Sequence, residues 1–238
     1  MYRIPFLIGQ ILSYFVPGTH ARRRVRGMVN RFFFYIPIAH FIKKIYGVKA
    51  KQIRFVRQIN MNRATFVVNN RYYVKIFRNV SISRLYAYKY LLDFIRPRLD
   101  MHIPKIFIAK HISMYVADTL PGTILCNCAK SQVLKHERKI KTQVINMINA
   151  LKAIRPQTIL NYEMFTVELQ PQHIQPKVKV NKNSVLAHND LNASNILLDD
   201  KFNVISIIDW DSLSIVQNPD ADIESFERLW SIYKQSNK

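Results

Sequence analysis

The sequence predicts an α+β protein with a small β-rich lobe, a mostly helical second lobe and an amphipathic helical extension at its N-terminus. Short runs of β-branched and aromatic residues predict strands between residues 49 and 120. A long amphipathic run beginning near residue 130 predicts a helix in the second lobe, residues 121–238. At 238 residues the chain can bury the core of one large domain or of two small lobes.

The composition excludes several classes of protein. Apolar residues make up 49% of the chain, which excludes a disordered protein, and five glycines exclude a collagen-like or low-complexity one. Cys126 and Cys128 are separated by one residue, a spacing that suits neither a disulfide nor a zinc knuckle. Two reduced thiols in a cytosolic protein are the simpler interpretation.

The charge is strongly positive and unevenly distributed. The formal net charge is +21, and Met1–Leu92 contains eighteen Lys and Arg but no Asp or Glu. Nine of the fifteen acids lie between Asp190 and Glu227. Such a basic surface favours a polyanionic partner: anionic lipid, nucleic acid or a phosphorylated substrate.

Residues 1–48 are predicted to form two amphipathic helices separated by Pro17-Gly18. Their apolar residues recur at helical spacing: Ile4, Leu7, Ile8, Ile11, Leu12 and Phe15, then Val25, Met28, Val29, Phe32 and Ile36, opposite Arg22, Arg23 and Arg26. The first run is shorter than the ~20 residues of a spanning helix, and it lacks the small-residue cleavage site of a signal peptide. We expect this extension to bind an anionic membrane surface. The alternative is a helix pair packed on the domain.

The segment 49–120 is predicted to be an antiparallel β-rich lobe containing one helix. The strands are "IRFVRQI", "ATFVVNN", "RYYVKIF", "HIPKIFIAK" and "ISMYVADTLPG". The helix is "SISRLYAYKYLLDFI", with a serine at its N-cap. Pro121-Gly122 marks a turn at the end of this lobe.

The segment 121–238 begins with a single long predicted helix, "KSQVLKHERKIKTQVINMINALKAI". Its apolar side carries Val133, Ile140, Val144, Ile145, Ile148 and Leu151. Residues 155–183 contain three prolines, and their apolar residues have no regular spacing, which indicates a variable insertion.

The stretch "LAHNDLNASNILLDDKFNVISIIDWD", residues 186–211, concentrates polar residues beside two apolar runs. "SNILLD" and "NVISIID", joined by "DDKFN", predict a β-hairpin. Folding it about Phe202 places Leu197 opposite Ile207 and Asn195 opposite Asp209. An amide oxygen and a carboxylate would then meet at the open end. Mg²⁺ takes one or two such protein ligands and completes its shell with water and phosphate.

Asp190 lies on the loop that enters the first strand, where it could reach the same point in space. A carboxylate there suits a base that orients a hydroxyl group. The alternative is that all three residues merely cap the hairpin with polar groups.

The pattern His188-x-Asp190-x-x-x-x-Asn195, followed after one hairpin by Ile208-Asp209-Trp210, resembles the catalytic core of kinase-fold phosphotransferases. This Ile-Asp-Trp ending replaces the Asp-Phe-Gly motif of protein kinases and is similar to that of the aminoglycoside and choline phosphotransferase branch. "HNDLNASNILLD" resembles most closely the bacterial lipopolysaccharide-core kinases of the Kdo/heptose type. The resemblance is strong over about 186–211 and weaker elsewhere.

This resemblance implies a two-lobed protein-kinase-like fold and an ATP-dependent kinase. The enzyme would phosphorylate a sugar of a lipid-linked core acceptor as a peripheral protein on the cytoplasmic face of the bacterial inner membrane. It would use ATP and Mg²⁺, act as a monomer and bind no nucleic acid. The resemblance implies that Asp190 is the catalytic base and that Asn195 and Asp209 bind Mg²⁺. Lys75 would bind the ATP phosphates, and Asn62 would lie in the turn that covers them. Val116 to Asp118 would contact adenine through their backbone, and Asp222 would support the catalytic loop.

Two features depart from the family pattern. The phosphate-covering turn has no glycine, which restricts backbone approach to phosphate. The helix after Lys75 has no Glu near Arg84 to Ala87, and Asp93 is its only carboxylate. The alternatives are therefore a pseudokinase or scaffold at the membrane, a kinase for another small hydroxylated substrate, and a nucleic-acid binder supported by charge alone.

Overall fold

The computed structural model describes residues 3–59, 63–156 and 181–236. These residues form two compact units. The first contains the described residues of Met1–Lys89 and Lys105–Thr119, and the second those of Tyr90–Pro104 and Leu120–Lys238. The N-terminal helices thus cluster with the sheet of the first unit, and residues 90–104 cluster with the second.

The first unit contains a five-stranded antiparallel sheet of order β1-β2-β3-β5-β4, as the runs of β-forming residues predict. The strands are β1 Ile53–Ile59, β2 Arg63–Val68, β3 Tyr72–Phe77, β4 Ile106–Ile108 and β5 Met114–Asp118. Asn69 and Asn70 join β2 to β3 with φ of 52° and 53°, a left-handed backbone that asparagine tolerates. The Asn69 side chain also accepts hydrogen bonds from the backbone of Lys51 and Gln52, which fixes the start of β1.

Helix α2 covers one face of this sheet with its C-terminal half. Helix α1 spans Arg3–Tyr14 and helix α2 spans Thr19–Tyr46. The α2 residues Phe34, Ile38, Phe41 and Ile42 join the sheet residues Phe66, Val74, Ile76 and Val116 in one buried cluster. Gly47 ends the helix in the left-handed region, with φ 68°, and its N–H donates to the Lys43 carbonyl. Packing on the domain, the alternative weighed above, therefore holds for this half of α2.

Helix α3, Ile82–Ile95, begins at the predicted serine cap. The Ser81 hydroxyl accepts a hydrogen bond from the Arg84 N–H at 3.2 Å.

The described part of the second unit contains the end of α3, three further α-helices, short 3₁₀ turns and two small sheets. The helices are α4 Lys130–Lys135, α5 Glu137–Ala153 and α6 Ala221–Gln235. The strands are β6 Thr123–Ile124, β7 Val185–Ala187, β8 Ile196–Leu198, β9 Val204–Ile207 and β10 Ser214–Val216. They form the sheets β6-β8-β9 and β10-β7.

The prediction of one continuous helix over residues 130–154 was wrong, because the helix breaks at His136. His136 has φ −104° and ψ 14°, and its imidazole stacks on the Phe202 ring with centroids 4.5 Å apart. This contact with a turn distant in sequence outweighs the helical preference of the local residues. Four of the predicted apolar positions of α5, Ile140, Val144, Ile148 and Leu151, are nevertheless buried.

The β8–β9 hairpin is confirmed, but its predicted register was wrong by one residue. The observed pairs are Ile196 with Ile207 and Leu197 with Ser206, and a bulge follows. The turn is centred one residue earlier than predicted because Asp199 and Asn203 close it. The Asp199 carboxylate accepts from the Asn203 backbone N–H and side-chain amide, each at 2.7 Å.

The packing of α2 predicts that two phenylalanines of this helix differ in their effect on stability. Phe34→Ala should lower the free energy of unfolding by about 3–5 kcal/mol because it opens a cavity in the buried cluster. Phe32→Ala, at a position 81% exposed, should change it by less than about 0.5 kcal/mol. Urea unfolding followed by circular dichroism measures both, and equal effects would show that α2 does not pack on the sheet.

Candidate active site

The loop between β7 and β8 carries the polar residues that the sequence singles out. Its second residue, Asn189, has a left-handed backbone with φ 62°. The Asn189 side-chain amide donates to the Ala187 and Ser212 carbonyls at 3.1 and 2.9 Å and to the Ser214 hydroxyl at 2.8 Å. One asparagine thus ties the loop to both strands of the β10-β7 sheet.

Asp222, in the first turn of α6, holds the start of this loop. Its two carboxylate oxygens accept hydrogen bonds from the backbone N–H groups of His188 at 2.7 Å and Asn189 at 2.8 Å. The side chain is 3% exposed, so these charge-assisted bonds form away from water. The helix N-terminus adds further stabilisation of the negative charge. The carboxylate therefore fixes the backbone just before Asp190.

His188 is a buried structural residue. Its Nδ1 accepts from the Asp190 N–H at 3.3 Å, which assigns the proton to Nε2, and Nε2 donates to the Ile208 carbonyl at 3.2 Å. Burial lowers the pKa of His188 below its ordinary value, although the charges of Asp222, Asp190 and Asp209 oppose this shift. The neutral imidazole thus links the loop to the residue that follows β9, with three carboxylates around it.

Two asparagine amides orient the carboxylate of Asp190. Asn192 donates to one oxygen at 2.7 Å, and Asn195 donates to the other at 3.0 Å and to the Asp190 carbonyl at 2.8 Å. Asp190 is half-buried, and its hydrogen-bond donors are neutral. The carboxylate is therefore held in a fixed orientation and remains open to a ligand. Sequence reasoning did not assign the roles of Asn189 and Asn192; the density of asparagines in "HNDLNASN" was the available signal.

Asn195 and Asp209 lie at the same end of the β8–β9 hairpin, but they are not the directly facing pair that was predicted. The Asn195 carbonyl accepts from the Ile208 N–H at 2.8 Å, so Ile208 faces Asn195 and Asp209 follows it. Asp209 has φ 61° and ψ 50° and begins the 3₁₀ turn Trp210–Ser212. A left-handed aspartate is uncommon and is often found at functional sites.

The ligand atoms at this end suit a hard cation. Because the Asn195 amide nitrogen donates to Asp190, its Oδ1 is the side-chain atom left to bind a cation. Within the described ranges no cluster of three or more His, Cys, Asp and Glu side chains could hold a metal ion. One amide and one carboxylate fit Mg²⁺, which fills the rest of its shell with water and phosphate.

Lys75 lies on β3 of the first unit and is 7% exposed. It pairs with Thr65 of β2 and Tyr115 of β5, and its ammonium lies 5.8 Å from the centroid of the Tyr115 ring. Its neighbours Val74 and Ile76 join the cluster beneath α2. Because side chains alternate along a strand, Lys75 projects from the opposite face of the sheet.

The predicted adenine-contacting segment is the end of β5. Val116 is flanked by β3 and β4, and its side chain is buried beneath α2, so its backbone lies inside the sheet. Among the described strands, Asp118 pairs with Tyr72 of β3 and with no residue of β4. Its carboxylate faces Tyr46, whose pKa is raised by burial and by the Asp118 charge. The geometry therefore favours the backbone of Asp118 over that of Val116 as the accessible part of this segment.

Two further predictions concern the surroundings of Lys75. Asn62 lies outside the described residues. Asp93, the only carboxylate of helix α3, contacts Arg96 at 2.5 Å in the second unit. The structure therefore places this carboxylate in a local ion pair with the 3₁₀ turn Arg96–Arg98, which follows α3.

Comparisons with solved structures identify the fold. An aminoglycoside 2'-phosphotransferase-IIIa in its GDP complex aligns at 14% identity over 87% of this chain and 84% of its own, with a TM-score of 0.58. The macrolide 2'-phosphotransferase MphH from Brachybacterium faecium aligns at 14% identity over 85% and 83%, also with a TM-score of 0.58. A streptomycin-ATP-APH(2")-IIa complex aligns at 15% identity over 83% and 80%, with a TM-score of 0.56. No protein-family model and no curated protein matches the sequence.

The chain thus has the protein-kinase-like fold of phosphotransferases, with an antiparallel sheet in the first unit and a largely helical second unit. This confirms the predicted fold class.

Because Asp222 supports the loop, replacing it should lower the free energy of unfolding more than replacing Asp220, which lies beside it at the start of α6. Asp222→Asn presents an N–H₂ group to one of two buried N–H donors and should lower the free energy of unfolding by about 1–3 kcal/mol. Asp220→Asn, the matched control, removes only an ion pair to Lys152 at a 58% exposed side chain, and should change it by at most about 1 kcal/mol. Denaturant titration compares them, and an equal loss in both variants would contradict the role of Asp222.

Proposed function

We propose that this protein is an ATP-dependent kinase that phosphorylates a hydroxyl group. The observation that carries the proposal is the fixed orientation of Asp190 by Asn192 and Asn195, on a loop held by Asp222. A half-buried carboxylate in a set orientation is what a base needs to align a hydroxyl and take its proton.

In this mechanism the protein acts mainly by positioning. Asp190 accepts the proton of the acceptor hydroxyl as its oxygen bonds to phosphorus and the bond to the leaving diphosphate breaks. Asn195 and Asp209 would hold Mg²⁺, which neutralises charge on the transferred phosphoryl group when bound. We propose that Lys75 binds the nucleotide phosphates, as the family resemblance implies. Neighbours of the same fold were solved with GDP, ADP or ATP, which supports a nucleotide donor.

The acceptor we propose is a sugar of a membrane-bound lipopolysaccharide or lipooligosaccharide core. The likeness of "HNDLNASNILLD" to the lipopolysaccharide-core kinases and the acid-free N-terminal segment support this choice. The enzyme would then work at the cytoplasmic face of the bacterial inner membrane. A second acceptor class, a small hydroxylated compound, is favoured by the aminoglycoside and macrolide phosphotransferases among the structural neighbours.

The competing proposal is a pseudokinase that binds nucleotide without transfer. The helix after Lys75 lacks the glutamate of the family pattern, and its one carboxylate, Asp93, pairs with Arg96. The two proposals differ in whether phosphate leaves the nucleotide, so a transfer assay separates them.

Three Asp→Asn variants separate binding from chemistry. Asp190→Asn should bind Mg·ATP nearly as well as wild type but lose transfer by at least ~10²-fold, because it removes only the base. Asp209→Asn should weaken Mg²⁺-dependent ATP binding; asparagine retains the left-handed backbone of this position. Asp200→Asn, at an exposed position in the β8–β9 turn, is the matched control and should change neither property.

Calorimetry with and without Mg²⁺ measures binding, and labelled ATP with a lipopolysaccharide-core acceptor measures transfer. Unchanged turnover in Asp190→Asn would show that the base lies elsewhere. Wild-type protein that binds Mg·ATP but transfers phosphate neither to core sugars nor to small hydroxylated acceptors would favour the pseudokinase.

A further inference from the structure

The pair of helices α1 and α2 has small and polar residues where the helices meet. Gly9 and Ser13 of α1 and Asn30 of α2 are buried. A Cβ atom added at Gly9 would lie 3.6 Å from the Arg26 Cα and 3.7 Å from the Asn30 amide nitrogen, so the helices approach closely. Small residues at the contact between two helices are typical of helix pairs whose surroundings are apolar.

The large apolar side chains of the pair point outward instead. Of thirteen large hydrophobic residues that are exposed in the described structure, ten lie on these two helices or directly after α1. They are Leu7, Ile11, Leu12, Tyr14, Phe15, Met28, Phe32, Phe33, Tyr35 and Ile36. Phe15, Phe32 and Ile36 are 82%, 81% and 75% exposed. Scattered exposed hydrophobics need no explanation, but a concentration on one element indicates an interaction surface.

A basic cleft adjoins this apolar surface. It encloses about 740 Å³ and is lined by residues that include Arg23, Arg24, Arg31, Lys51 and Arg54. Arg23 is fixed there by a hydrogen bond to the Val56 carbonyl. The sequence of the first unit contains twenty Lys and Arg against one acid, Asp118, so the cleft lies in a strongly positive field.

Met28 connects the two features, because it lines the cleft and is itself 66% exposed. We propose that the α1–α2 pair and this cleft form a docking surface for anionic phospholipid. The headgroup phosphate binds in the cleft, and the outward side chains of α1 and α2 enter the boundary between headgroups and acyl chains.

The geometry favours lipid over the other polyanions. A nucleic acid would use the cations and would stack bases on the aromatic rings, but it would leave the aliphatic side chains Leu7, Ile11, Leu12 and Ile36 in water. No described helix is long and apolar enough to cross a membrane. In this proposal the pair lies in the interface plane because it has an apolar face and a cationic face, and each finds a partner there.

The first arm of the test varies the apolar surface of the full-length protein. Wild type should sediment with phosphatidylcholine vesicles that contain phosphatidylglycerol and much less with phosphatidylcholine alone. Phe32→Ser with Ile36→Ser should lose at least about tenfold in vesicle affinity, because both side chains enter the interface. Ile232→Ser, on α6 and 54% exposed, is the matched control and should bind as wild type.

The second arm varies the cleft. Arg24→Gln with Arg31→Gln should lower affinity for the anionic vesicles by roughly 10- to 30-fold, about fivefold per cation near the surface. Arg138→Gln with Arg228→Gln removes the same charge from exposed positions of the second unit and should have a smaller effect. All variants should bind Mg·ATP as wild type, so a failure here is distinct from a failure of the proposed kinase function.

Three results would overturn the proposal. Equal loss in the cleft variant and its charge-matched control would show that net charge alone drives binding. Displacement of vesicle binding by soluble inorganic polyphosphate, with no effect of the apolar variant, would indicate a site for free phosphate. Binding to RNA without binding to either vesicle would assign the basic surface to nucleic acid.

Discussion

The carboxylate of Asp222 is the constraint on which the polar loop of the second unit depends. An isolated carboxylate at 3% exposure would be unstable, so its two oxygens must accept hydrogen bonds. The donors are successive backbone N–H groups at His188 and Asn189, which fixes the direction in which the chain leaves β7. His188 then reaches Ile208, and Asp190 follows with its carboxylate held by two amides. The buried carboxylate of Asp222 in α6 thus positions the accessible carboxylate of Asp190, which lies in a loop earlier in the chain.

The two units differ in chemistry as well as in fold. Acids are concentrated between Asp190 and Glu227, while the sequence of the first unit has a single acid, Asp118, which faces Tyr46. Lys75 is buried in the sheet against the Tyr115 ring, which offers the electron-rich face that an ammonium group prefers. The fold therefore accommodates this lysine although the following helix has no glutamate. A kinase would transfer phosphate without this glutamate and a pseudokinase would not, which separates the two proposals.

The strands and the polar motif could be predicted because both depend on neighbouring residues. β-branched runs and an Asp-rich turn predicted the sheet of the first unit and the β8–β9 hairpin. The features that were missed depend on contacts between distant residues or on turn geometry. His136 breaks a helix by stacking on Phe202, and the closure of the turn by Asp199 and Asn203 shifts the hairpin register. The density of asparagines in this loop was a signal, but it did not show that Asn189 would bind the β10-β7 sheet and that Asn192 would bind Asp190.

The loop that bears Asp190 is expected to be fixed before any ligand binds. Hydrogen exchange of the ligand-free wild-type protein tests it at the two amides that donate to Asp222. The N–H groups of His188 and Asn189 should exchange as slowly as those of Ile196 and Leu197 in β8, because all open only when the second unit unfolds. Exchange at the rate of freely exposed amides, with β8 still protected, would show that the loop is mobile without ligand and would contradict the claim.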